Sequence, residues 1–157
     1  SENDNISFKI ELLTDDNKDY KFYKMGYGSS IYKEQTSNMG EVKYIKSKKL
    51  SEELPSEIKK TDNNLIKLDT QGTELKILNG LNNFINFFEV IILETSIHNY
   101  NKNAPLFSDV INYMKDKNYR LYDLFDMKRL GNENSFLLQF DCIFVRSDSK
   151  LLKINLS

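Results

Sequence analysis

Apolar and polar residues alternate through ISFKIELLT, which places Ile6, Phe8, Ile10 and Leu12 on one face, the spacing of a half-buried strand. DDNK follows as a turn and DYKFYKM as a second, aromatic strand, so the chain is expected to open with a hairpin. GYGSS breaks the pattern and reads as a loop. EVKYIK is a short candidate strand leading to KLSEELP, a helical turn that Pro55 stops, and IKKTDNN is a polar connector.

From Leu65 the hydrophobic period switches between two and 3.6 in the order of βαβ units. LIKLD predicts a strand. TELKILNGLNNFINF places Leu75, Leu78, Leu81 and Ile85 on one helical stripe, and FEVIILETS predicts a buried strand. Pro105 marks a second helix start, after which Leu106, Phe107, Val110, Ile111 and Met114 recur at helical spacing before the strand YRLYDLF. QFDCIFVRS closes the series, either continuing a parallel sheet or pairing antiparallel as an edge hairpin. The expectation is a single α/β domain over residues 1–157, with helices on the faces of one sheet.

Composition narrows the function classes. With 39% hydrophobic and 29% charged residues, the chain matches an ordinary globular domain long enough to bury a core without metal or disulfide support. A net charge of −1, with lysines spread along the sequence, leaves no electrostatic footprint for nucleic acid. Cys142, the single cysteine, excludes an internal disulfide and a multi-cysteine metal site. The longest apolar run, FEVIILE, is too short to span a bilayer and SENDNISFK lacks the form of a signal peptide, so a cytoplasmic protein without a membrane partner is expected.

Candidate chemistry gathers where the strands end. In open α/β sheets ligands collect beyond the carboxyl ends of the strands, and here LIKLD delivers Asp69 and VIILE delivers Glu94. Both carboxylates follow buried apolar runs and are expected to line one shared crevice. Gly72 permits a tight turn, Thr70 or Thr73 could cap the following helix, and Glu74 adds a charge favourable to its first turn. An acid at a strand end is often only a cap, which keeps a structural role open for Asp69. Glu94 has no helix of its own to cap. His98 lies on the loop after the second strand, either as solvated surface or as a base. GYGSS contains GxG without a helix behind it, and no Walker, GxSxG or HExxH motif occurs.

From LIKLDTQGTELKILNG through VIILETS, the chain resembles the FkbM family of S-adenosylmethionine-dependent methyltransferases. Lys67, Asp69, Gln71, Gly72, Glu74, Leu78, Gly80, Leu93 and Glu94 match the family's strand, turn, helix and following strand. IELLTDD, GYGSSIY and KLSEEL resemble its preceding segments, and LFSDVINYMKDKNYRLYDLF and FDCIFVR its later ones. The family's opening strand with its glycine-rich turn and its second strand have no counterpart here. The resemblance therefore implies a Rossmann-like class I methyltransferase sheet, mostly parallel with an antiparallel final strand and lacking the first two strands. It also implies that the chain is the C-terminal portion of a methyltransferase domain, or a naturally shortened relative.

The activity so implied is methyl transfer from S-adenosylmethionine to a hydroxyl, often of a sugar or other small-molecule or glycan acceptor. Such transfer needs in-line positioning and a group to take the hydroxyl proton. The resemblance makes Asp69, Glu94 and His98 the catalytic candidates, and Asp15, Asp69 and Gln71 the residues toward the cofactor. Ser29, Ser30 and Glu74 face the acceptor side in this reading. A pair of acids could instead hold Mg²⁺, although two carboxylates alone are a thin basis for a metal site. A different class stays open: a non-catalytic binding or assembly module that uses sheet edge left unpaired by the missing strands.

Overall fold

The computed structural model describes residues 7–35, 40–99 and 101–153. Ile6 of the predicted first strand lies outside this range. Strands form two sheets rather than one. The smaller contains β1 (Leu12–Thr14), β2 (Asp19–Lys24) and β3 (Glu41–Lys49), in the order β1-β3-β2. The expected opening hairpin does not form. β3, longer than EVKYIK suggested, inserts between its two halves, parallel to β1 and antiparallel to β2. The alternating segment ahead of β1 has strand periodicity without a strand: among the described residues Lys9 and Glu11 are held only through side-chain pairs with Glu53 and Lys48, and Phe8 and Ile10 are 87% and 92% exposed.

The larger sheet holds β4 (Asn64–Leu68), β5 (Phe88–Ser96), β6 (Tyr119–Leu130) and β7 (Phe136–Arg146), ordered β4-β5-β7-β6. β4 and β5 are parallel, while β7 runs antiparallel to both β5 and β6. β4, β5 and β6 thus share one direction, and β7 reverses between β5 and β6. The sheet is mixed, with only one directly parallel pair. β6 reaches well beyond YRLYDLF and carries irregular register around Leu121, Phe125 and Lys128, which lets a long, twisted strand re-aim its side chains.

Three helices complete the fold: α1 (Leu50–Glu53), α2 (Glu74–Gly80) and α3 (Phe107–Asp116). The stripe predicted for one long helix is divided, because Asn82 takes a φ of 51° and the chain continues as a 3-10 turn over Asn82–Phe87. Leu78, Leu81 and Ile85 are nevertheless buried together. They meet Ile91 and Leu93 of β5, Val110 and Met114 of α3, and Cys142 and Phe144 of β7 in one core. Burial of this apolar surface is the main favourable term holding the helices on the sheet. It also pushes the Cys142 thiol up to about 11, which leaves it an inert core residue.

Candidate active site

The parallel register of β4 and β5 pairs Leu68 with Leu93, so Asp69 and Glu94 each stand one residue beyond paired strand positions. Between them the chain makes a tight turn. Gln71 adopts a φ of 56° and Gly72 a φ of 104°, a left-handed stretch costly to residues with a Cβ. At Gly72 no side chain would fit, since a Cβ would come within 2.6 Å of the Ala104 Cβ.

Glu74 holds the turn from within. Its carboxylate accepts from the backbone N–H groups of Thr70 and Gly72 at 2.8 and 3.1 Å, and from the Thr70 hydroxyl at 3.1 Å. Thr73, at the helix start, makes no side-chain cap, so the expected threonine cap is replaced by this glutamate. Burial raises the Glu74 pKa, against those hydrogen bonds. From the other side, the Gln71 carbonyl accepts from Ser30 Oγ at 3.0 Å and from Asn101 Nδ2 at 2.9 Å.

This scaffold aims the Gln71 side chain between the two acids. Its Nε2 donates to Glu94 at 2.6 Å and lies 3.5 Å from Asp69 Oδ1. Glu94 is buried and its other oxygen meets Lys128 Nζ at 2.5 Å. Burial pushes the Glu94 pKa up, Lys128 opposes this, and the Asp69 charge adds to the rise. In the β5–β7 register Glu94 faces Asp141, also buried, which would set two like charges opposite each other. Each carries its own cation: Lys128 for Glu94 and Lys67, at 2.7 Å, for Asp141.

The predicted residues distribute over two hollows instead of one crevice. Glu94, His98 and Glu74 line a small one of about 10 Å³. Asp69, Ser29 and Ser30 line a larger one of about 250 Å³, walled by Leu12, Leu13, Phe22 and Ile77. Gln71 joins them. Both serines already serve the loop, as Ser29 Oγ donates to the Gly26 carbonyl at 2.7 Å and Ser30 Oγ to that of Gln71. His98 is exposed and packs edge-on against Phe136, with ring centroids 5.5 Å apart. Asp15 lies beside α2, 3.4 Å from Lys76 Nζ, and lines neither hollow.

Sequence reasoning missed Lys128, Gln139 and Asn101. Gln139 Nε2 lies 3.3 Å from Glu94 and 3.4 Å from Gln71 Oε1. No cluster of three or more metal-ligating side chains occurs among the described residues. The family model described as the methyltransferase FkbM domain matches residues 4–121. Comparison with curated proteins and with solved structures gives no match.

Proposed function

Because the chain belongs to the FkbM methyltransferase family, we propose that it is the acceptor-side part of an S-adenosylmethionine-dependent O-methyltransferase acting on a hydroxyl of a sugar or other small-molecule or glycan acceptor. The observation that carries this reading is the Asp69–Gln71–Glu94 constellation at the carboxyl ends of two parallel strands. The shared direction of β4, β5 and β6, with β7 reversed, supports a Rossmann-like methyltransferase sheet.

The larger hollow suits part of the cofactor. Its apolar wall and polar rim match a ligand with a flat ring and hydroxyls, and about 250 Å³ falls just short of the volume a whole small-molecule site needs. Bound there, S-adenosylmethionine supplies an electrophilic methyl group on a sulfonium cation. Two acids line this hollow, Glu11 and Asp69. Glu11 is paired with Lys48 at 2.7 Å, whereas Asp69 is exposed and only weakly engaged by Gln71, so its charge is available to that cation. Glu94 serves the acceptor side, where burial moves its pKa toward neutrality and makes it the better proton acceptor. Gln71 fixes the spacing between them. His98, on the rim of the small hollow, is the alternative base.

Methyl transfer from labelled S-adenosylmethionine to a panel of sugar acceptors, using the full-length encoded protein, tests the assignment. Asp69→Asn and Glu94→Gln are each expected to lower kcat by at least about 100-fold, with His98→Ala milder. Wild-type turnover in either acid variant removes that residue from the mechanism.

One observation favours a second reading, a non-catalytic binding or assembly module. The outer edge of β4 is unpaired among the described residues, and Phe8 and Ile10, ahead of β1, are exposed apolar side chains. Among the described residues no helix is long and apolar enough to cross a membrane.

A further inference from the structure

We propose that the small hollow beside Glu94 is a subsite for one hydroxyl group of a neutral acceptor, and that Asn101 is the residue that selects it; the inference rests on the methyltransferase reading. Asn101 is only 6% exposed, and its Nδ2 is committed to the Gln71 carbonyl at 2.9 Å. Its Oδ1 is buried without any hydrogen-bond partner, the sole such side-chain atom among the described residues. Buried acceptors are nearly always satisfied, so an exception calls for a donor from outside the described residues. Turning the amide over would set its oxygen against the Gln71 carbonyl, which fixes the orientation.

The hollow that Asn101 lines supplies the rest of the recognition. Its volume of about 10 Å³ admits about one oxygen atom of water or hydroxyl size. Gln139 lines the same space, and its amide donates only at 3.3 and 3.4 Å, leaving those hydrogens poorly used. A hydroxyl both donates and accepts, so it satisfies Asn101 and Gln139 together. A carboxylate or phosphate brings only acceptors and negative charge, into a hollow lined by Asn101, Glu94 and Glu74. The subsite therefore favours neutral polyols and sugars over sugar acids and sugar phosphates. Asn101 acts by positioning the acceptor and takes no proton.

The test follows the Asn101 side-chain amide by NMR in the ¹⁵N-labelled full-length encoded protein. Probes are methyl glycosides of neutral hexoses, each with its single-deoxy counterparts, and glucuronate and glucose 6-phosphate as anionic comparators. Saturable shifts of the Asn101 amide are expected with at least one neutral glycoside, with about tenfold weaker binding when one particular hydroxyl is removed, and weaker binding still of the anions. Asn101→Leu, read at the Gln139 side-chain amide, is expected to weaken the glycoside by a similar factor. Should that variant misfold, the deoxy series in the wild-type chain decides alone. Glycosides that leave the Asn101 amide unmoved, equal affinity across the deoxy series, or tighter binding of the anions would overturn the subsite. S-adenosylmethionine is titrated in parallel, read at Asp69 and Gln71. Cofactor binding without a sugar effect sinks the subsite and spares the methyltransferase, whereas sugar binding without the cofactor does the reverse.

Discussion

Glu94 is held between opposing influences, and its pH behaviour exposes them. Burial raises its folded pKa above the ordinary 4.5, so folding favours its protonated form. That contribution is complete below the unfolded value and is lost as pH rises through the raised folded value. Glu94→Gln removes this pH dependence. In urea unfolding, the variant is expected to gain stability relative to the parent as pH climbs from about 4 to neutrality. Parallel curves for the two proteins across that range would contradict the assignment. Lys128 supplies the counterweight through a half-exposed ammonium on a buried carboxylate. Lys128→Met is expected to cost about 2 kcal/mol, below the value for fully buried pairs, and to raise the Glu94 pKa further, visible in a ¹³C titration of its carboxyl. Sequence alone indicated Glu94 because a carboxylate after four apolar residues needs a reason to be there. It did not indicate Lys128, which reaches Glu94 from a bulged strand 34 residues away, a distance no period can encode.

Elements with strong, local patterns were legible: β5 coincides with FEVIILETS, and α3 follows its apolar stripe from Phe107. Elements whose partners lie far off in sequence were not. β3 separates β1 from β2, although turn chemistry between those two pointed to a hairpin. The antiparallel hairpin allowed for the last two strands does form between β6 and β7, but β7 also enters beside β5, a placement set by burial of Phe140, Cys142 and Phe144 rather than by any local signal. The join between the two sheets depends on one glycine. Gly80 ends α2 against β1, and a Cβ there would lie 2.3 Å from the Thr14 carbonyl oxygen, which is backbone and cannot swing away. Gly80→Ala is therefore expected to destabilise by about 2 kcal/mol, despite the better helix propensity of alanine. The larger hollow, lined by Leu12 and Leu13 on one side and by Thr73 and Ile77 on the other, should open with it. Chemical denaturation measures the first effect, and hydrogen exchange at Leu13 and Ile77 the second. An unchanged unfolding midpoint would mean that α2 shifts freely along β1.

At the scale of the molecule, the apolar alternation at the start of the described chain has not found its sheet. Phe8 and Ile10 project into solvent, and β4 offers an unpaired edge of backbone donors and acceptors. A segment of strand periodicity outside any sheet, and an edge unpaired among the described residues, each favour recruitment of another strand, whether from the same polypeptide or from a second copy. In a concentrated solution, a second copy supplies such a strand. Self-association that grows with concentration is the expected consequence, measured by sedimentation velocity. Phe8→Ser with Ile10→Ser tests the cause, since both side chains are too exposed to support the fold. The double variant should change unfolding free energy by less than about 0.5 kcal/mol while shifting the sedimentation profile toward monomer. A large loss of stability instead would show that these residues are covered within the monomer, and the segment would then belong to the core that it only resembles in pattern.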